Sequence, residues 1–217
     1  MKKFTFMTVL ASLVFAVACG GGSTPATTDD SSSTTEQTSN VVSNKKLPFE
    51  RGSYVQVNKT MGIEIQQTVY FERWGDWTAT ETKLELVKGY GTHEVEIVKG
   101  KTHWQIDLVE KTGTKYDAAE FSTGMAAALG TAMAGSMAKD MKMEELGTED
   151  HLGYKCNKVR VKYPDMNMEV TTLSYENLTM KMEGNMSGME VFTEILSIDL
   201  TAPPASIFEV PEGINMQ

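Results

Sequence analysis

From residue 47 to the C-terminus, apolar and polar residues alternate with a period of two, interrupted by turn-forming residues. The alternation predicts strands at 52–58, 62–72, 77–88, 92–98, 103–110, 154–163, 168–175, 178–183 and 189–200. Within them Ile63, Ile65, Val69 and Phe71 share one strand face, as do Val95 and Ile97, and Trp104, Ile106 and Leu108. Gly75-Asp76, Gly89-Tyr90-Gly91, Lys99-Gly100 and Gly184-Asn185 supply residues that tolerate positive φ in tight hairpins. Short links of this kind join antiparallel neighbours. The pattern therefore predicts an up-and-down meander, curved into a sheet or partial barrel, with one apolar face that must be covered.

Residues 118–145 follow another period. Phe121, Met125, Leu129, Met133, Met137 and Met141 recur every four residues in an Ala/Met-rich stretch with high helix propensity. Gly124, Gly130 and Gly135 weaken that propensity by about 1 kcal/mol each relative to Ala. No charge occurs from Gly124 to Ala138, a run too short to span a bilayer as a helix. The expectation is a mainly β (α+β) domain: an antiparallel curved sheet or half-barrel with one Ala/Met-rich helix over its concave face.

The N-terminus carries an address. Lys2 and Lys3 precede a short apolar run from Phe4 to Val17, which ends in Ala16-Val17-Ala18-Cys19-Gly20. Small residues before a Cys resemble a bacterial lipobox, with Ala16 where Leu is commoner. That resemblance implies a signal peptide over 1–18, cleavage before Cys19, and a covalent lipid (diacylglycerol, with palmitate as a typical acyl chain) on its sulfur. The plainer alternative is an ordinary secretory signal that leaves a free thiol. Because Gly20 is not the Asp that often retains lipoproteins at the inner membrane, the expected location is the cell envelope, lipid-anchored, at the outer membrane facing the periplasm. Residues 19–46 then form the lipidated Cys and a disordered tether of Gly, Ser, Thr, Asn and Asp, with an r.m.s. span of about 29 Å. Residues 47–217 remain as a single domain.

Charge narrows the partners. The 217 residues carry 20 Lys+Arg against 29 Asp+Glu, net −9. Loss of Lys2 and Lys3 leaves 18 basic side chains, net −11. Such a chain is repelled by nucleic acid and by anionic lipid, so membrane association falls to the anchor, and no nucleic-acid partner is expected. With Cys19 lipidated, Cys156 has no intramolecular disulfide partner. Its strand-like surroundings, Tyr154 to Val161, predict a buried structural thiol.

The C-terminal run Pro203-Pro204-Ala205-Ser206-Ile207-Phe208-Glu209-Val210-Pro211-Glu212-Gly213 resembles the close of bacterial envelope proteins with an outer-membrane lipoprotein carrier/receptor type (Lol-type) fold. Thr68-Val69-Tyr70-Phe71, Trp74-Gly75 and Ile106-Asp107-Leu108, followed by Lys111-Thr112-Gly113-Thr114-Lys115, resemble an uncharacterised family, mainly of envelope lipoproteins, related to that fold. The resemblance implies a strongly curved antiparallel half-barrel with a helix plugging an apolar concavity, where the best-known members bind acyl chains. The carriers begin with an amphipathic helix, whereas here the tether leads almost directly into Gly52-Ser53-Tyr54-Val55.

Catalytic signatures are absent from the sequence. His93, His103 and His151 are scattered, and no nucleophile elbow, P-loop or dinucleotide fingerprint occurs, so the chain is expected not to be an enzyme and to use no cofactor beyond the lipid on Cys19. Methionine, with 15 residues, is the anomaly. Flexible thioethers suit a deformable apolar cavity. Met125, Met133, Met137, Met168, Met180 and Met182 are the expected lining, with Trp104 as a wall, for an acyl chain or other apolar ligand. Two alternatives stand beside this. The M-x-M pairs Met141/Met143, Met166/Met168 and Met180/Met182 would each present two thioethers on one strand face, a soft set that selects Cu(I). An accessory role, binding an envelope protein partner, is the other.

Overall fold

The computed structural model describes residues 45–60, 62–87, 90–117, 142–164, 167–186 and 188–217. The chain divides into two compact units, 1–42 and 43–217, and the described residues all belong to the second. The expected signal peptide over 1–18, Cys19 and most of the expected tether lie outside them.

Among the described residues, twelve strands form one curved, unclosed sheet: β1 (Gly52–Thr60), β2 (Ile63–Glu72), β3 (Trp77–Val87), β4 (Tyr90–Lys99), β5 (Thr102–Asp107), β6 (Thr112–Asp117), β7 (Lys142–His151), β8 (Tyr154–Tyr163), β9 (Met168–Tyr175), β10 (Leu178–Met186), β11 (Met189–Asp199) and β12 (Asn215–Met216). Their spatial order is β12-β6-β5-β4-β3-β2-β1-β11-β10-β9-β8-β7. All pairings are antiparallel except the short β12, which joins β6 in parallel.

The expected single meander is therefore two. β1 to β6 run outward to one edge; β7 to β11 run inward from the other, and β11 closes on β1. Only tight turns force sequence neighbours to be spatial neighbours, and the long segment 118–141 between β6 and β7 is not one. The expected helix lies over 118–141, outside the described residues. Its last turn is corrected: Lys142–Glu145 are strand, at the start of β7. Glu144 and Glu145 favour helix locally, but pairing with β8 overrides that preference. The strand expected over 103–110 ends at Asp107, whose Oδ1 accepts the backbone N–H groups of Val109 and Glu110 and starts the turn.

Two buried clusters hold the sheet. Ala79, Ile97, Ile106 and Phe208 form one, with Tyr70, Trp77, Val95, Trp104, Ile207, Val210 and Ile214 packed around them. The C-terminal segment thus lies across β2 to β5, pinned by the short 3-10 turn Ala205–Phe208 and by β12. Cys156, Leu173, Leu178, Met180 and Ile195 form the other, with Leu47, Phe49, Tyr54, Tyr154, Tyr175 and Ile198. The entering chain is latched to the β2–β3 turn: the N–H groups of Lys46 and Leu47 both donate to the carbonyl of Trp74, at 3.0 and 2.9 Å. Gly75 permits this docking, because a Cβ there would meet the Leu47 side chain at 2.8 Å.

Each apolar set keeps one face of its own strand, but the sheet carries apolar residues on two faces where one was expected. Register places Val69 opposite Thr80, while Tyr70 stands opposite Ala79, followed laterally by Ile97 and Trp104. Hence Ile63, Ile65, Val69 and Phe71 occupy one side, and Val95, Ile97, Trp104 and Ile106 the other.

Candidate functional site

The two faces differ in charge. On one, five lateral rows follow directly from the strand registers. The first is Met143-Val161-Val170-Gly184-Val191-Thr60-Ile63. The second is Glu145-Val159-Thr172-Met182-Thr193-Asn58-Ile65. The third is Gln56-Gln67-Thr82-Glu94-Asp107-Thr112, the fourth Tyr54-Val69-Thr80-Glu96-Gln105-Thr114, and the fifth Gly52-Phe71-Thr78-Val98-His103-Tyr116. None of these rows contains a lysine or an arginine.

The cations lie on the other side. Lys59, Lys83, Lys99, Lys115, Lys142, Lys158, Arg160, Lys162 and Lys181 all alternate away from the five rows; Lys155 alternates with Val159 and Val161 and stands on the face of the rows, but four residues beyond the second row, at the β7–β8 end of the sheet. There they make a surface lattice: Lys59–Glu64 at 2.8 Å, Lys158–Glu149 at 2.7 Å, Arg160 to Glu144 and Glu169 at 3.3 and 3.4 Å, and Lys181–Glu183 at 3.0 Å. Lys59 and Lys181 also sit over the Phe192 ring. Exposed pairs of this kind contribute little to stability, on the order of 0–1 kcal/mol each, so the segregation points to a difference in what each face meets.

The cation-free face has two chemistries side by side. Its first row is apolar, and Met143 and Ile63 at its ends are 47% and 48% exposed. Met168 opens β9 just beyond that row, opposite Tyr163, and Met182 lies in the second row. Next to them runs a hydrogen-bonded ladder across four strands. Thr193 Oγ1 donates to Asn58 Oδ1 at 2.8 Å. Asn58 Nδ2 and Gln56 Nε2 both donate to Gln67 Oε1 at 2.8 Å, and Gln67 Nε2 donates to Thr82 Oγ1 at 2.9 Å. Gln67 is buried, and these bonds satisfy it. In the same row, partial burial and then the neighbouring Asp107 raise the Glu94 carboxyl above its ordinary value.

Of the sequence-predicted lining, Met168 and Met182 share this face, as does Met143, but Met168 and Met182 stand four residues apart along the strands, about 13 Å. Met180 does not line it: it is fully buried in the core with Cys156, Leu173, Leu178 and Ile195. A β-bulge between Thr179 and Lys181 interrupts the alternation that would have presented Met180 and Met182 as a pair. Trp104 lies on the opposite face, under the C-terminal segment, with Lys115 over its ring at 5.7 Å. Met125, Met133, Met137, Met141 and Met166 lie outside the described residues. The Gln56/Asn58/Gln67 ladder was missed by sequence reasoning, although the polar residues at 56, 58 and 67 interrupt otherwise apolar strand faces.

Beneath the C-terminal segment is a cavity of about 150 Å³, lined by Tyr70, Ala79, Glu81, Val95, Leu108, Ile207 and Pro211 among others. A space of that size suits a benzene-sized group and falls well short of the volumes that hold a whole lipid chain. Glu81 at its wall is paired with Lys83 and His93, each at 2.7 Å. His103 lies 3.7 Å from Glu96, and His151 bonds a backbone carbonyl. Among the described residues no three His, Cys, Asp or Glu side chains are grouped to hold a metal. Cys156 is buried, its Sγ 3.4 Å from the carbonyl of Tyr154, and burial pushes its thiol up from the ordinary value.

No protein-family model matches the chain, and no curated protein matches it. Solved structures do. An uncharacterised conserved protein from Thermus thermophilus is similar over 77% of this chain and 90% of its own, with 9% identity and a TM-score of 0.52. The Pseudomonas aeruginosa MucA/MucB complex structure covers 75% of this chain and 56% of that one, at 10% identity and a TM-score of 0.48. The Mycobacterium tuberculosis lipoprotein LppX covers 70% of this chain and 88% of its own, at 11% identity and a TM-score of 0.38. The Thermus protein shares the fold of this chain; at such identities the likeness extends to the fold alone.

Proposed function

We propose that the chain is a lipid-anchored envelope protein without catalytic activity, whose cation-free sheet face binds an apolar ligand of the acyl-chain class. One observation carries the reading: strand alternation puts nine of the sixteen described lysines and arginines on one face, with six more in turns and the entering segment, and leaves the other face with Met143, Val161, Met168, Met182, Val191 and Ile63 around a satisfied polar ladder. A face that met only water would have no need of this segregation. The lipobox-like run ending at Cys19 supports it, because two or three acyl chains on that residue would hold the domain beside a source of such ligands.

Binding of an apolar ligand is tested by native mass spectrometry of the protein purified from its host. A co-purifying apolar mass, displaced by added fatty acid, is expected. A ligand-free spectrum together with no binding of added fatty acid or detergent overturns the reading. Cu(I) titration in the same experiment addresses the thioether alternative, which the bulge at Met180 disfavours. Tight one-to-one Cu(I) binding would replace the lipid reading with that one.

A further inference from the structure

The cation-free face is amphipathic along the strands. Its apolar first row and its third row, where Gln56 and Gln67 stand, are four residues apart on β1, or about 13 Å. One amphiphile can therefore lie with its chain over the Met/Val/Ile row and its head over the ladder. Resting on the acyl-ligand reading above, we propose that the head group recognised there is an uncharged, hydrogen-bonding one, of the polyhydroxyl or sugar class, and not a phosphate.

Two features of the face select this chemistry. First, Gln56, Asn58 and Thr82 are half-buried, and the ladder uses one N–H of each carboxamide nitrogen and only the acceptor side of the Thr82 hydroxyl; in the proposal the remaining N–H and O–H groups donate to the ligand. Amides and hydroxyls pair with sugar hydroxyls, which both donate and accept. Second, an anionic head would find no lysine or arginine in the five rows and would face the carboxylates of Glu94, Glu96, Glu145 and Asp107. Phosphate sites are built from the charge-assisted donors that this face lacks. A neutral head escapes that repulsion and keeps its hydrogen bonds.

The test compares two probes with the same tail. The mature chain with Cys19→Ser is titrated calorimetrically with dodecyl maltoside and with dodecyl phosphate, both below their micellar concentrations. The maltoside is expected to bind at least about tenfold more tightly. Asn58→Ala should lower maltoside affinity by about tenfold and leave dodecyl phosphate unchanged. Thr82→Val, at the solvent end of the ladder, gives the same comparison should Asn58→Ala fail to fold. Equal or tighter binding of dodecyl phosphate overturns the head-group inference while leaving the acyl-ligand reading intact. Failure of both probes to bind removes both.

Discussion

His151 Nε2 lies 2.9 Å from the backbone carbonyl oxygen of Ile195. His151 ends β7 and Ile195 belongs to β11, with β8, β9 and β10 between them in the sheet. In a flat sheet four strand spacings would hold them about 19 Å apart. The contact therefore measures how sharply this half of the sheet curls. It falls where the pairing of β10 with β11 stops, at Lys181↔Glu194, and beside the cluster of Cys156, Leu173, Leu178 and Met180. A carbonyl oxygen only accepts, so the imidazole Nε2–H is the donor across that gap.

His151→Ala should therefore lower stability by about 1 kcal/mol, a shift of about 2–4 °C in melting temperature for a domain of this size. Thermal unfolding followed by circular dichroism checks it. An unchanged midpoint would mean that the apolar cluster alone sets the curl.

Gly184 marks the tightest approach within the candidate face. A Cβ at that position would stand 2.2 Å from the Glu169 carbonyl oxygen and 2.7 Å from the Val170 Cα, both backbone atoms that cannot move without breaking the β9–β10 pairing. Gly184→Ala is expected to cost about 3 kcal/mol or more. Gly153→Ala is the control for ordinary strain, since nothing lies within 4 Å of its Cβ and its penalty comes from φ +83° alone. Urea midpoints for the two variants should differ clearly, with Gly184→Ala the lower.

Strand existence was legible from alternation, and Gly75-Asp76 and Lys99-Gly100 fall at hairpin turns, whereas Gly184-Asn185, expected as a turn, lies inside β10 because its pairing with β11 runs on to Met186↔Met189. The parts that were not legible have identifiable causes. β6, Thr112–Asp117, carries little apolar alternation because Gly113 sits against Met216 and Ile214 of the C-terminal segment. β7 is an edge strand, mostly exposed and rich in Glu, so its composition imitates a helix end. The face assignment of Met182 follows from simple alternation, whereas that of Met180 needed the bulge, which nothing in Leu178-Thr179-Met180-Lys181 announces. The cation segregation was legible in Lys158-x-Arg160-x-Lys162, but only the register across β1 and β11 extends it over the whole sheet.

The Glu81 carboxylate gives the domain an acid-sensitive element. Its bond to Lys83, with His93 adding to it, holds its pKa below the ordinary carboxylate range against a smaller opposing effect of burial. A carboxyl with a depressed folded-state pKa stabilises the fold above its unfolded pKa of about 4.3, and that contribution disappears as pH falls through the folded value. Glu81→Gln should accordingly flatten the loss of stability on the acid side of about pH 4.5 and lower stability at pH 7. Denaturation midpoints across pH 3–7 test the sign; an unchanged acid limb in the variant would show that other carboxyls dominate it.

The anchor claim rests on one residue. Cys19 follows Ala16-Val17-Ala18, and the tether behind it is polar and acidic, so nothing in residues 20–46 can hold the chain on a bilayer. If lipid on Cys19 is the attachment, wild-type protein labels with palmitate and sediments with envelope membranes, and Cys19→Ser loses the label and shifts into the soluble fraction or accumulates as uncleaved precursor. Partition between detergent and aqueous phases separates the two outcomes, because a precursor retains its apolar leader while a mature unlipidated chain does not. A mature Cys19→Ser protein that still partitions with membranes would move the attachment from the lipid to the folded domain, and the exposed Met143–Ile63 row would then be the surface to examine for direct bilayer contact.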